Sequence, residues 1–231
     1  MASGIKKAIF KLMDKALTQE GYVLNINKWE PALYEVDLHL PSVNMRKWES
    51  IHRIKCRVAD FEYRDYTPAT WDAEKSTCKI WIEAAHKGSG SAWVKNLHAG
   101  DTVLFAPAYA APLPNEPGKI LCVGDGTALG HFLALKHLTK REAQPLEVIV
   151  YLNEDYDIPV SFKEDNPEFQ FITKSGLNML DTLYDYAVGK QITSFTSIQI
   201  VGNIPMVQGL RKMFKSNPYL NARIFAHGFW K

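Results

Sequence analysis

The sequence predicts a β plus α/β protein: an antiparallel β-barrel followed by a small parallel-sheet domain. Three observations carry this. From Tyr22 to Pro107, five β-patterned runs follow one another, punctuated by Pro, Gly, Asn and Asp, without intervening helices. From Lys119 onward, short apolar strands alternate with helical patterns, as a parallel sheet requires. Between them, residues 106–118 hold four prolines and read as an irregular interdomain connection. The predicted units are therefore residues 1–113 and 114–231.

Taken in order, residues 4–20 read as a helix. Ile5, Ala8, Ile9, Leu12, Met13, Ala16 and Leu17 recur at helical spacing, Ser3 can cap it and Gly21 can stop it. Its lysines lie around the other faces, and packing on the following domain is expected. The expected barrel strands are Tyr22–Ile26, Tyr34–Leu40, residues 51–63, Cys78–Glu83 and Thr102–Phe105, with Glu74-Lys75-Ser76 as a hairpin loop. A helix is expected to start near Ser91. In the second unit the strands are 119–123, 146–151, 169–172, 197–201 and 223–227. Helices are expected over 128–140, 177–188 and 206–215.

Composition narrows the function. A chain of 231 residues with 46% hydrophobic content can bury a full core. A net charge of +2 gives no reason to expect nucleic acid. Cys56, Cys78 and Cys122 form no CxxC pair, and their odd number argues against a secreted disulfide framework. No apolar run reaches membrane-spanning length, and no signal peptide opens the chain. The expectation is a soluble, cytoplasmic monomer with no membrane span and no resident metal.

Three stretches carry chemistry. Arg64-Asp65-Tyr66-Thr67 ends an alternating run, so an Arg, an aromatic and a hydroxyl on extended backbone present one face. That face suits a flavin: the guanidinium can clamp a diphosphate, the phenol can lie along the ring and the hydroxyl can reach the ring edge near N5. The alternative is an ordinary strand end with a solvated Arg. Next, His86-Lys87-Gly88-Ser89-Gly90-Ser91-Ala92-Trp93 combines glycines, hydroxyls and a helix start, which suits a diphosphate. The alternative is a flexible polar turn. Third, Gly124-Asp125-Gly126-Thr127-Ala128-Leu129 sits between a strand and a helix, the context of a nucleotide-binding turn. Tyr109, within the proline-rich connection, can stack on an adenine.

The order of these pieces resembles the ferredoxin–NADP reductase superfamily. Within it the chain is most similar to the siderophore-interacting proteins, FAD-dependent ferric-chelate reductases. The resemblance rests on Arg64-Asp65-Tyr66-Thr67, the Gly88–Trp93 segment, Gly124-Asp125-Gly126-Thr127-Ala128-Leu129 and the terminal Gly228-Phe229-Trp230. It implies an FAD-binding barrel, an NADH- or NADPH-binding α/β domain and a ferric siderophore or other ferric chelate as acceptor. By the same resemblance Arg64 neutralises FAD phosphate, Asp65 and Tyr66 pack at the flavin, and Thr67 bonds near N5. His86, Gly88, Ser89, Gly90, Ser91 and Trp93 form the phosphate segment. Gly124, Asp125 and Thr127 shape the nicotinamide pocket, and Trp230 covers the ring. Thr67 and Trp230 are the expected catalytic pair.

The chain departs from the family in five places, one being a shorter phosphate loop. Ala69 stands where a second Arg is usual, and Gly126 replaces Glu in the turn. Val201-Gly202-Asn203 replaces Cys-Gly-Pro, and the end at Trp230-Lys231 resembles the aromatic end of flavodoxin/ferredoxin reductases. Ferredoxin is therefore the alternative partner, and a flavin-binding interaction module without nicotinamide turnover is a third reading. Glu154, Asp155 and Asp157 follow the second α/β strand and disfavour a 2′-phosphate, so NADH is favoured over NADPH. Lys231, Arg46 and Lys47 are the expected cationic contacts for an anionic chelate.

Overall fold

The first sheet is built from β1 (Gln19–Trp29), β2 (Leu33–His39), β3 (Ile51–Ala59), β4 (Glu62–Tyr66), β5 (Pro68–Asp72), β6 (Thr77–Glu83) and β7 (Thr102–Ala111). A computed structural model of the chain describes residues 19–114, 116–139, 144–173 and 178–230. All pairings in this sheet are antiparallel, in the order β4-β3-β7-β1-β2-β6-β5. Period-two patterning decides which face is core: on β2, Val36 and Leu38 are buried while Glu35, Asp37 and His39 are half-buried.

The two edge strands are neighbours in the chain, joined by Thr67 alone. A flat sheet of seven strands would hold its edges about 29 Å apart, six spacings of roughly 4.8 Å. One residue spans about 7 Å between its neighbours. The sheet must therefore curl until β4 and β5 approach, and the predicted barrel follows from that closure. The short helix α1 (Ser89–Lys95) lies between β6 and β7 in the chain.

The second sheet holds β8 (Lys119–Asp125), β9 (Leu146–Leu152), β10 (Phe169–Thr173), β11 (Phe195–Asn203) and β12 (Arg223–Trp230). All pairings are parallel, in the order β10-β9-β8-β11-β12. Helices α2 (Leu129–Thr139), α3 (Val160–Asp165), α4 (Met179–Gly189) and α5 (Ile204–Lys215) connect them. Asn178 and Asn203 cap α4 and α5, accepting from the Leu180 and Met206 amides at 2.8 and 3.2 Å. Strand order reverses between β8 and β11, which opens a crevice at their carboxyl ends.

Several expectations change. The run 51–63 is two strands, because the chain turns at Asp60–Phe61, where Phe61 has φ of +61°. The predicted helix 4–20 falls largely on residues 1–18, outside the described residues, but Gln19, Glu20 and Gly21 pair with β7 instead of ending a helix. Strand β7 runs through Pro107 to Ala111, where irregular chain was expected. Among the described residues β1 pairs β7 only up to Phe105, so Pro107 has one neighbouring strand and its missing N–H is tolerated. Strand β5 was not anticipated; the Glu74-Lys75-Ser76 loop behind it was.

Helix α2 joins the two sheets into one core. Leu129, Phe132, Ala134, Leu135 and Leu138 are buried on it, so it is apolar nearly all round, as a helix covered on every side must be. Its cluster includes barrel residues such as Leu33, Ile54 and Ile80 and sheet residues such as Ile120, Cys122 and Val150. Cys56, Cys78 and Cys122 are free and buried, as packing residues. Among the described residues no helix is long and apolar enough to cross a membrane.

Gly130 is the close-approach point: a Cβ there would lie 2.9 Å from the Thr67 carbonyl oxygen. Gly130→Ala should push α2 off the barrel closure and cost about 1–3 kcal/mol. Urea unfolding measures this. An unchanged midpoint would mean that the helix has room to shift there.

Candidate functional site

A cleft of about 580 Å³ lies between the barrel and the carboxyl end of the parallel sheet. One wall comes from β4 and α1. Arg64 and Tyr66, two residues apart on β4, both face Gly90, whose added Cβ would lie 2.9 Å from the Tyr66 hydroxyl and 3.4 Å from Arg64 Cγ. The glycine is what lets the first turn of α1 come this close. Tyr66 stacks on Trp93, with centroids 5.6 Å apart and planes 19° apart. Burial raises the Tyr66 pKa, so the phenol stays neutral. The half-exposed Arg64 guanidinium donates to the Tyr63 carbonyl at 2.8 Å and lies 3.6 Å from Glu62. Asp65 pairs with Lys55 at 2.6 Å. The buried hydroxyls of Ser89 and Ser91 have no partner among the described residues.

The opposite wall comes from the end of β12 and the turn after β8. Trp230 stacks on His86 at 4.9 Å with planes 7° apart. Its indole N–H donates to Thr127 Oγ1 at 3.2 Å, and the Thr127 hydroxyl in turn donates to Asp125. Asp125 also accepts from the Thr127 amide at 3.0 Å and from the Asn203 amide at 2.8 Å. The carboxylate thus pins β8 to β11 across the crevice where strand order reverses. Burial pushes its pKa up, opposed by these donors. Gly124 is buried beneath it, against β11 and Phe132.

Glu83, at the end of β6, also lines the cleft and is 3% exposed. It accepts from the Tyr156 hydroxyl at 3.0 Å, while its second oxygen has no partner among the described residues. Burial is the main cause that raises its pKa to about 7, with the Asp125 charge adding to the effect. Gly126 lets the carboxyl sit on the turn, since a Cβ there would lie 2.9 Å from Glu83 Cδ.

Of the residues expected at the site, Arg64, Asp65, Tyr66, His86, Gly88, Gly90, Ser91, Thr127 and Trp230 line one cleft. Ser89, Trp93, Gly124 and Asp125 support it from behind. Thr67 does not line it: the residue is buried in the β4–β5 link against Gly130, because barrel closure takes it. Arg46 and Lys47 are exposed on a 3-10 turn anchored by the buried Met45, and neither lines the cleft. Lys231 lies outside the described residues. Sequence reasoning missed Arg53, Lys55, Glu83, Lys87 and Tyr156. The signal for Glu83 was a carboxylate closing the apolar run Ile80-Trp81-Ile82, while Arg53 sits among His52, Lys55 and Arg57, where nothing local sets it apart.

No family model matches the sequence, and no curated protein matches it significantly. Solved structures do match. A siderophore-interacting protein from Acinetobacter baumannii superposes with a TM-score of 0.71, over 92% of this chain and 89% of that chain, at 16% identity. A ferredoxin reductase in carbazole 1,9a-dioxygenase (FAD apo form) gives 0.70 over 93% of this chain and 67% of that one, at 16% identity. The chain has the ferredoxin–NADP reductase-like fold. A mutant of ferredoxin-NADP+ reductase from Plasmodium falciparum agrees, at 0.65 over 93% and 96% of the two chains and 15% identity. At these identities the likeness concerns the fold, with the barrel first and the parallel sheet second.

Glu83 gives this fold a pH signature. Below about pH 4.5 the folded and unfolded chains both keep its proton. Between there and pH 7 the unfolded chain ionises first, so stability is lost as pH rises. The loss is of order 3 kcal/mol once pH exceeds the folded value. Glu83→Gln should remove that loss, and the gap between variant and parent should widen from pH 4.5 to pH 7 in denaturant titrations. Parallel curves would show that Glu83 titrates alike in the folded and unfolded chains.

Proposed function

We propose that the protein is an FAD-dependent reductase that draws electrons from NADH or NADPH and passes them singly to a ferric siderophore or other ferric chelate. The observation that carries it is the convergence, in one cleft of a reductase fold, of aromatic rings with a corner built from Arg64, Gly88, Gly90 and Ser91. The chain's residues fit the cofactor. Orphaned hydroxyls at Ser89 and Ser91, the Gly90 cradle and the loosely held Arg64 suit a diphosphate. The Tyr66–Trp93 and His86–Trp230 stacks suit a planar ring. Bound FAD supplies the conversion between two-electron and one-electron transfer.

The residues divide the remaining work. Arg64 orients the diphosphate, and Tyr66, neutral and stacked, holds ring position without adding charge. Trp230, fixed by its bond to Thr127, shields one approach to the ring and keeps water out. Asp125 holds Thr127 and so sets the indole angle. A neutral Glu83 at pH below 7 stands beside Gly126 as a proton source that does not repel an anion. The A. baumannii neighbour is described as a siderophore-interacting protein, which favours a ferric chelate as acceptor. Arg53, Lys55, Arg64 and Lys87 at the cleft outnumber Asp65 and Glu83 there, which suits an anionic chelate. Oxygen donors hold ferric iron more firmly than ferrous, so reduction loosens the substrate. The carbazole-dioxygenase neighbour favours ferredoxin as the second reading.

Steady-state oxidation of NADH and NADPH with ferric chelates or ferredoxin as acceptor separates the two. A ferric chelate should be reduced faster by the holoprotein than by free reduced FAD, and more slowly as salt shortens the screening length to about 3 Å at 1 M. No such acceleration, with rapid ferredoxin reduction, would select the second reading. Arg64→Ala should weaken FAD binding by about 1.5–3 kcal/mol while leaving the fold intact. Flavin absorbance retained after desalting measures this. Unchanged affinity would remove Arg64 from the phosphate role.

A further inference from the structure

Arg53 is 5% exposed, yet it lines the cleft. Its guanidinium lies between two rings, 4.5 Å from the centroids of both Tyr109 and Phe229. Nη1 donates to the Tyr109 hydroxyl. Nε and Nη2 are buried with no partner among the described residues. These two nitrogens form the edge of the guanidinium that engages paired acceptors bidentately. The local structure is arranged for this placement: a register shift between His52 and Ile54, opposite Pro107–Ala110, brings Tyr109 to Arg53.

Among the described residues no carboxylate forms an ion pair with Arg53. Asp65, the acid that acts on Arg53, is bonded to Lys55. His131, fully buried with both ring nitrogens unpartnered, and His227, 5.5 Å from it, both face the same charge. Burial first, and Arg53 with it, keep both imidazoles neutral. A buried cation without a counter-charge is destabilising unless a ligand completes it.

We propose that Arg53 receives the N1–C2 carbonyl edge of the flavin ring, by its Nε–Nη2 fork, and favours the reduced ring over the oxidised one. This rests on the flavin reading above. Arg53 sits three residues along β3 from Cys56, the pairing partner of Arg64, so the two arginines are about 10 Å apart along the strand direction. That spacing lets one serve the ring while the other serves the diphosphate. Hydride arriving at N5 brings two electrons and one proton, leaving one added negative charge shared by N1 and the C2 carbonyl. A fixed guanidinium at that edge stabilises this charge. Tyr109, 56% exposed, is held on this side by its contacts with Arg53 alone among the described contacts, and would turn toward solvent as the ring enters.

The test compares the parent with Arg53→Met and Arg53→Lys in three measurements: apoprotein melting, FAD titration by fluorescence quenching, and midpoint potential by dye equilibration. Arg53→Met should leave the apoprotein melting temperature unchanged or raised, because it removes an unpaired buried charge. It should weaken binding of oxidised FAD roughly 10- to 100-fold. A further tenfold loss for the reduced ring would lower the two-electron potential by about 30 mV. Arg53→Lys keeps the charge without the fork and should fall between. If the parent binds FAD while Arg53→Met keeps its affinity and potential, the inference fails and the flavin reading stands. A less stable or unfolded Arg53→Met apoprotein would make Arg53 a structural residue and also overturn it. A parent that binds no FAD overturns the flavin reading itself.

Discussion

One residue closes the barrel, and the rest of the molecule is arranged about it. Thr67 alone links β4 to β5, the two edges of a seven-stranded sheet. Its carbonyl then serves as the floor on which Gly130 of α2 rests. Barrel closure, docking of the second sheet and the cleft all meet within residues 64–68. Thr67 itself is buried and does not line the cleft, while Arg64 and Tyr66 do. A residue that must satisfy closure and helix contact together has little freedom left for a ligand.

Helix α2 carries the consequence to the other half. It is buried against both sheets, so the two cannot move apart without exposing Phe132 and Leu135. Its N-terminal turn, Gly126–Ala128, therefore reaches the cleft at a fixed height above β6. Asp125 fixes the same turn from the crevice side by accepting from Asn203. The wall that carries Trp230 is thus referenced to the barrel through a rigid body and not through a loop.

The layout was legible because its signals are local. Alternation of Val36 and Leu38 with charged neighbours, and the strand–turn–helix at Asp125, follow from backbone periodicity. The contacts that complete the site are not local. Arg53 and Tyr109 meet across 56 residues, and Glu83 and Tyr156 across 73. Pairing also overrode local preference, since Pro107 lies in a strand where its missing donor has no second neighbour to serve. Thr67 shows the same limit: local sequence presents it as a hydroxyl beside an aromatic, while its place as the link between the two edge strands follows only from the topology.

Several polar groups at the cleft are desolvated without being fully satisfied. Glu83, Arg53, His131 and the two serines each leave at least one hydrogen-bonding atom without a partner among the described residues. In a core selected for stability alone, such groups are replaced by apolar ones of similar shape. They are also not scattered. Arg53, Glu83 and Ser91 line one cleft, and His131 lies behind Phe229 at its edge. Low dielectric makes each unpaired group costly and correspondingly strong toward a ligand that pairs it. Desolvation also lowers the pKa of His131 and His227, so the buried Arg53 cation faces neutral imidazoles and not like charges.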